Sequence, residues 1–140
     1  VGKYIDKKFA HKYYKEIGLG IDFTARDLQT QLKAKGLPWE KAKSFDGAAV
    51  IGSWLPKTAF QDLNNINFSL KKNNQVVQQG NTSLMLWKID EIIEYVSKYF
   101  TLKIGDVIFT GTPAGVSKVF ANDKLKGYLE DKELFSITVK

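Results

Sequence analysis

The chain has 140 residues, 44% of them apolar and 26% charged, with a formal net charge of +6 and no cysteine. Its length suits one domain with a real core, spanning 1–140, and its composition excludes a disordered chain. Without cysteine, disulfides and thiol chemistry are excluded, and a reducing compartment is the default. No apolar run approaches the roughly 18–20 residues that cross a bilayer, and no secretory signal pattern opens the chain. A cytoplasmic protein with no membrane partner is expected.

The positive charge invites a nucleic-acid reading, but its distribution argues against one. The lysines are spread as singles and pairs, and only one of the 21 cations, Arg26, is arginine. Arginine is the side chain best suited to phosphates and base edges. A solvated lysine-rich surface is the better account, and no nucleic-acid partner is expected. The opening Val-Gly-Lys-Tyr-Ile has no methionine and reads as the end of a strand already under way. A chain that has lost its beginning is therefore expected.

In chain order, Asp6 to Ile17 suits a helix, with Phe9, Tyr13 and Ile17 at four-residue spacing and Gly18 as its terminator. His11, the single histidine, lies off that stripe and reads as a surface residue. Leu19, Ile21 and Phe23 alternate as in a strand, which places Asp22 on the opposite face. Thr24 is positioned to cap a short helix from Ala25 to Lys35, closed by Gly36. A turn at Leu37-Pro38-Trp39 leads to Lys43, and a strand follows from Ala48 to Trp54, stopped by Pro56.

Ile66, Phe68 and Leu70 alternate ahead of a turn at Lys72–Gln75 and then Val76 and Val77, which predicts a hairpin. Asp90 to Phe100 is a second clear helix, with Ile92, Ile93, Val96 and Phe100 on its apolar face. Val107 to Thr110 reads as a strand running into Gly111-Thr112-Pro113-Ala114-Gly115. Leu125–Leu129 and Leu134–Val139 form a last hairpin. Several strands and two or three helices without strict alternation predict an α+β, β-dominated fold.

Each chemically interesting residue has a plain structural reading beside a functional one. Asp22 needs a partner, and Arg26 four residues on offers an ordinary ion pair. Asp27 complements a helix dipole, while Arg26 and Gln29 share a helix face. Lys43 is one lysine among many. The Gly111–Gly115 segment is a turn, or a rigid loop presenting backbone N–H groups and the Thr112 hydroxyl to an anion.

Four segments in one order carry a resemblance. They are Gly-Ile-Asp-Phe-Thr-Ala-Arg-Asp-Leu-Gln, Lys-Gly-Leu-Pro-Trp-Glu-Lys-Ala-Lys-Ser-Phe-Asp, Gly-Asn-Thr-Ser-Leu-Met and Leu-Lys-Ile-Gly-Asp-Val-Ile-Phe-Thr-Gly-Thr-Pro-Ala-Gly-Val. Together they resemble the fumarylacetoacetate hydrolase family from about Tyr13 to the last strand, most closely its acylpyruvase and oxaloacetate-decarboxylase branch. The resemblance implies a mixed β-sandwich roll, a homodimer and a divalent metal, commonly Mg2+, with Mn2+ or Ca2+ as alternatives. It also implies that Asp22 is a metal carboxylate and that Arg26 and Gln29 line the substrate pocket. Lys43 would be the active-site lysine, with Gln29 beside it in the catalytic set, and Gly111 and Thr112 would hold the substrate carboxylate. A hard cation chelated by a 2-oxo acid favours enolate formation, and an ammonium stabilises the oxyanion as a carbon–carbon bond breaks.

The chain also departs from the family. The other two metal ligands form a Glu-x-Glu pair that would lie upstream of this segment. No Glu-x-Glu occurs here, the nearest pattern being Asp131-Lys132-Glu133 in the terminal hairpin. The family's lid, with its catalytic His and Glu, would also lie upstream. The expected function is metal-dependent hydrolysis of a carbon–carbon bond in acylpyruvate-type 2-oxo acids through an enolate. The alternatives at the same site are oxaloacetate decarboxylation, keto–enol isomerisation and a 2-hydroxyhepta-2,4-diene-1,7-dioate isomerase activity. From another class, the chain could be a truncated non-catalytic module.

Overall fold

The computed structural model describes residues 2–140. Secondary structure runs α1 (Lys7–Ala10), β1 (Glu16–Asp22), α2 (Arg26–Ala34), β2 (Ala49–Pro56), β3 (Asn67–Lys72), β4 (Gln75–Asn81), α3 (Ile89–Tyr99), β5 (Lys124–Leu129) and β6 (Lys132–Thr138). Short 3-10 turns lie at Glu40–Ala42, Lys57–Ala59 and Thr82–Leu84. β1 and β2 form one antiparallel sheet, and a second sheet has the order β4-β3-β5-β6. The fold is α+β and β-dominated as expected, and every ladder among the described residues is antiparallel.

The small sheet lies against β5 and β6. Ile66, Leu129 and Leu134 are buried between the sheets, with Ile17, Leu19, Leu55 and Phe68 packed around them. That is the period-two side-chain pattern of a half-buried strand put to use. The β3–β4 turn is made by Asn73 and Asn74 at φ 51° and 68°, the left-handed pair that a tight two-residue hairpin requires and asparagine tolerates. A separate cluster of Ile5, Ala10 and Ile93 joins the N-terminal segment to α3. Ser97, fully buried, accepts from the Ile5 N–H at 2.9 Å and donates to the Glu94 carbonyl.

Three expectations are corrected. The first helix is one turn, Lys7–Ala10, capped by the Asp6 carboxylate. Ile17 and Gly18 instead belong to β1, where they pair with Leu55 and Trp54. The Phe9–Tyr13–Ile17 stripe misled because Phe9 and Tyr13 stay about half exposed, while Ile5 and Ala10 fill the core. Thr24 does not cap α2, whose N-cap Ala25 makes no side-chain hydrogen bond. The Val107–Thr110 strand is absent from the ladders. This segment is held by side-chain packing instead, with Phe109 against Gly20 of β1. A strand-like start falls partly on Val1, outside the described residues, and Gly2 makes an isolated antiparallel bridge to Leu102.

Candidate functional site

The C-terminal end of β1 positions Asp22, paired across the ladder with Ala49 of β2. The pairing continues one step further, with the Phe23 N–H donating to the Ala48 carbonyl at 2.8 Å. Beyond it, the Ala25 N–H donates to the Ala42 carbonyl at 3.0 Å. Ala42 is completely buried, so this contact fixes the Glu40–Ala42 turn against the entry to α2. Lys43 follows directly, its N–H donating to the Glu40 carbonyl at 2.8 Å. Two chain segments about twenty residues apart are thus brought together by backbone hydrogen bonds.

The side chains then meet. Lys43 Nζ lies 2.6 Å from Asp22 Oδ1 and donates to Thr24 Oγ1 at 2.7 Å. The ion pair expected between Asp22 and Arg26 does not form among the described residues. Their four-residue spacing would help only within one helix, whereas Asp22 ends a strand and Arg26 begins α2. Arg26 instead donates to Gln29 Oε1 at 2.7 Å, one helical turn on. Gln29 is buried and Arg26 exposed, so the buried amide steadies the base of a guanidinium that reaches solvent. Asp27 sits in the first turn of α2, where an acid favours the helix dipole.

A groove of about 430 Å³ opens beside Lys43, lined by Pro38, Trp39, Glu40, Lys43 and Ser44. The Trp39 ring carries the Lys33 ammonium 4.7 Å from its centroid. Gly111 and Thr112 lie elsewhere on the chain path, exposed, in the irregular segment after α3. Gly111 adopts φ +125°, a backbone region closed to side chains in practice. Thr112 is held by β4, where Gln78 Nε2 donates to its Oγ1 and to the Pro113 carbonyl, each at 3.1 Å. Among the described residues no hydrogen bond joins Gly111 or Thr112 to Asp22, Arg26 or Lys43.

Two contributors were not anticipated from sequence. Thr24 was read as a cap and is a Lys43 partner. Gln78 follows the expected hairpin residues Val76 and Val77 and drew no reading of its own. Neither carries a sequence signal, because both act across the fold rather than along it. His11 is exposed and ends α1, away from the groove. Glu133 accepts from the Tyr128 hydroxyl at 2.9 Å, so the Asp131–Glu133 pattern reads as hairpin structure.

The donor set does not make a magnesium site on its own. A hard divalent cation takes six or more oxygen ligands, several of them waters, and needs anchoring carboxylates. Asp22 supplies one, already engaged by an ammonium, and no group of three His, Cys, Asp or Glu side chains among the described residues could hold a metal.

Residues 3–140 match the family model described as fumarylacetoacetate (FAA) hydrolase C-terminal. The mitochondrial oxaloacetate tautomerase FAHD1 of Bos taurus is 43% identical over 122 residues, covering 87% of this chain and 55% of that protein. The mitochondrial oxaloacetate decarboxylase of Dictyostelium discoideum is 39% identical over 125 residues, covering 89% of this chain and 57% of its own length. Among solved structures, the fumarylpyruvate hydrolase from Pseudomonas aeruginosa in complex with Mn2+ and pyruvate superposes with a TM-score of 0.91 at 32% identity. That match covers 99% of this chain and 59% of the other. The chain thus spans somewhat over half the length of the relatives it matches.

Proposed function

The chain belongs to the fumarylacetoacetate hydrolase family, and from that premise we propose that its 140 residues form a catalytic domain that stabilises the enolate of a short 2-oxo acid. The leading reaction is keto–enol interconversion or decarboxylation of oxaloacetate, the chemistry for which the bovine and Dictyostelium relatives are named. The observation that carries the reading is the fixed Lys43 ammonium. An ammonium has three N–H donors; Asp22 and Thr24 occupy two directions, and Lys43 lines the groove with the third to give.

In this reading Lys43 hydrogen-bonds the 2-oxo oxygen and strengthens that bond as negative charge develops there. In decarboxylation the C3–C4 electron pair moves into the C2 carbonyl as carbon dioxide leaves. In interconversion water takes a proton from C3 while the same oxygen gains charge, and that oxygen then takes a proton back from solvent. Arg26, steadied by Gln29, offers its remaining N–H groups to a carboxylate. Thr112 and the Gly111 backbone hold the other carboxylate, the one beside the 2-oxo group that pyruvate also carries. Hydrolysis of acylpyruvates is the second reading, favoured by the likeness to fumarylpyruvate hydrolase, and it shares the same enolate.

A divalent metal belongs to the proposal, Mg2+ first; the Pseudomonas neighbour is in complex with Mn2+. Asp22 would give that metal one ligand, and the described residues do not supply the others. A homodimer and a cytoplasmic location complete the reading, although the bovine and Dictyostelium relatives are mitochondrial. The test is a panel of oxaloacetate, acetylpyruvate and 2-hydroxyhepta-2,4-diene-1,7-dioate with Mg2+. Oxaloacetate turnover above the metal-only blank is expected, and no turnover of any of the three would sink the proposal.

A further inference from the structure

A threonine hydroxyl has a single proton, and nothing in the side chain itself decides whether it donates outward or inward. At Thr112 the decision lies with Gln78 of β4. The Gln78 side-chain nitrogen is 3.1 Å from both Thr112 Oγ1 and the Pro113 carbonyl oxygen. A carbonyl oxygen can only accept, so the atom facing Pro113 has to be the amide NH2 and not the amide oxygen. Its second hydrogen then points at Thr112 Oγ1, which becomes an acceptor. The amide nitrogen has no lone pair to receive the Thr112 proton, so that O–H is turned away from Gln78. Thr112 is exposed and Gln78 is half-buried, which directs the proton toward solvent, where an anion would sit.

We infer that Gln78 is a positioning residue that sets the Thr112 hydroxyl as an outward donor to the substrate carboxylate. The inference rests on the proposed role of Thr112 as a carboxylate holder and deepens it. Gln78 does two things at once. It fixes a loop that no strand ladder holds, since the segment around Gly111–Gly115 lies outside every sheet. It also polarises the hydroxyl, because an oxygen that accepts one hydrogen bond donates the next one more strongly. An O–H aimed at a carboxylate is moreover a charge-assisted bond, stronger than its neutral counterpart.

A latch that only held the loop would behave differently from a device that orients a proton, and a double-mutant cycle separates them. The probe is pyruvate, titrated in the presence of Mg2+ against the intact protein and followed by loop amide shifts, with thermal melts as the folding control. Thr112→Val should weaken pyruvate by about ten- to a hundredfold, the range for a hydrogen bond to a charged group, and Thr112→Ser should keep most of the affinity. Gln78→Met frees the hydroxyl to rotate and should cost less than Thr112→Val. Gln78→Glu introduces an acceptor that captures the Thr112 proton and should cost at least as much.

In the Thr112→Val background, Gln78→Met should cost clearly less than it does in the wild type, leaving only the share that the Pro113 contact contributes. Equal losses on Gln78→Met in both backgrounds would show a latch alone and overturn the inference, as would wild-type affinity in both Gln78 variants. Should Gln78→Glu fail to fold, the Gln78→Met cycle carries the test. If Thr112→Val itself binds pyruvate like the wild type, or the wild type shows no saturable binding, the carboxylate-holding role falls and the inference falls with it.

Discussion

Lys43 has three hydrogen-bond donors and little freedom to move them. Its pair with Asp22 is partly exposed, with side chains 26% and 47% accessible, so it contributes on the order of 0.2–1 kcal/mol to stability. The pair's value therefore lies in holding the ammonium in place. Lys43→Met should leave the melting temperature nearly unchanged while lowering kcat by about 10²–10³-fold, the usual cost of deleting one oxyanion donor. Steady-state kinetics beside a thermal melt checks both halves. A large fall in stability with unchanged kcat would assign Lys43 to structure. Asp22→Asn should also lower kcat and should raise the Mg2+ concentration needed for half-maximal rate, because Asp22 steadies the ammonium and would give the metal a ligand.

At the scale of elements, Gly20 shows how tightly the loop before Gly111 is fitted. A Cβ there would collide with the Val50 carbonyl oxygen and lie 2.9 Å from the Phe109 ring. Gly20→Ala should cost about 1–3 kcal/mol, the usual penalty of overpacking, read as a lower denaturation midpoint. The N-terminus of α3 supplies a pH prediction. The Glu91 carboxyl is held below its ordinary 4.5, first by a hydrogen bond from Lys7 and then by the Lys88 N–H. A carboxyl lowered by folding stabilises the fold above its ordinary value, and that contribution is lost as pH falls through the lowered one. Amide protection factors at the start of α3, taken relative to intrinsic exchange at each pH, should therefore fall below about pH 4.5, and Glu91→Gln should remove that dependence.

These elements also show what could be read in advance. The β3–β4 and β5–β6 hairpins and α3 were legible because alternation and helical spacing act within a few residues. The first helix was overextended since Phe9, Tyr13 and Ile17 fit a helical stripe, and nothing local reveals that β2 claims Ile17. At the site, Asp22, Arg26 and Lys43 were picked out by resemblance. That Asp22 would choose Lys43 over Arg26 depended on the Ala25–Ala42 backbone contact, which no local pattern reports.

At the scale of the whole molecule, much apolar surface stays open. Leu86 is 98% exposed, and Trp87, Tyr95 and Tyr99 make a chain of ring contacts, 4.9 and 5.4 Å between centroids, along α3. Exposed apolar surface on this scale marks association, in keeping with the proposed homodimer. Light scattering after size exclusion should give twice the 15.8 kDa of one chain, and a monomer mass at micromolar concentration would contradict the dimer.

Stabilisation of a 2-oxo acid enolate is read most directly by proton exchange, whatever product follows. The measurement is deuterium incorporation at C3 of oxaloacetate in D2O with Mg2+, comparing the wild type, Lys43→Met and a metal-only blank. Exchange well above the blank is expected for the wild type, falling about 10²–10³-fold in Lys43→Met. Exchange at the blank rate with the wild type, or equal rates in the two proteins, would contradict that stabilisation.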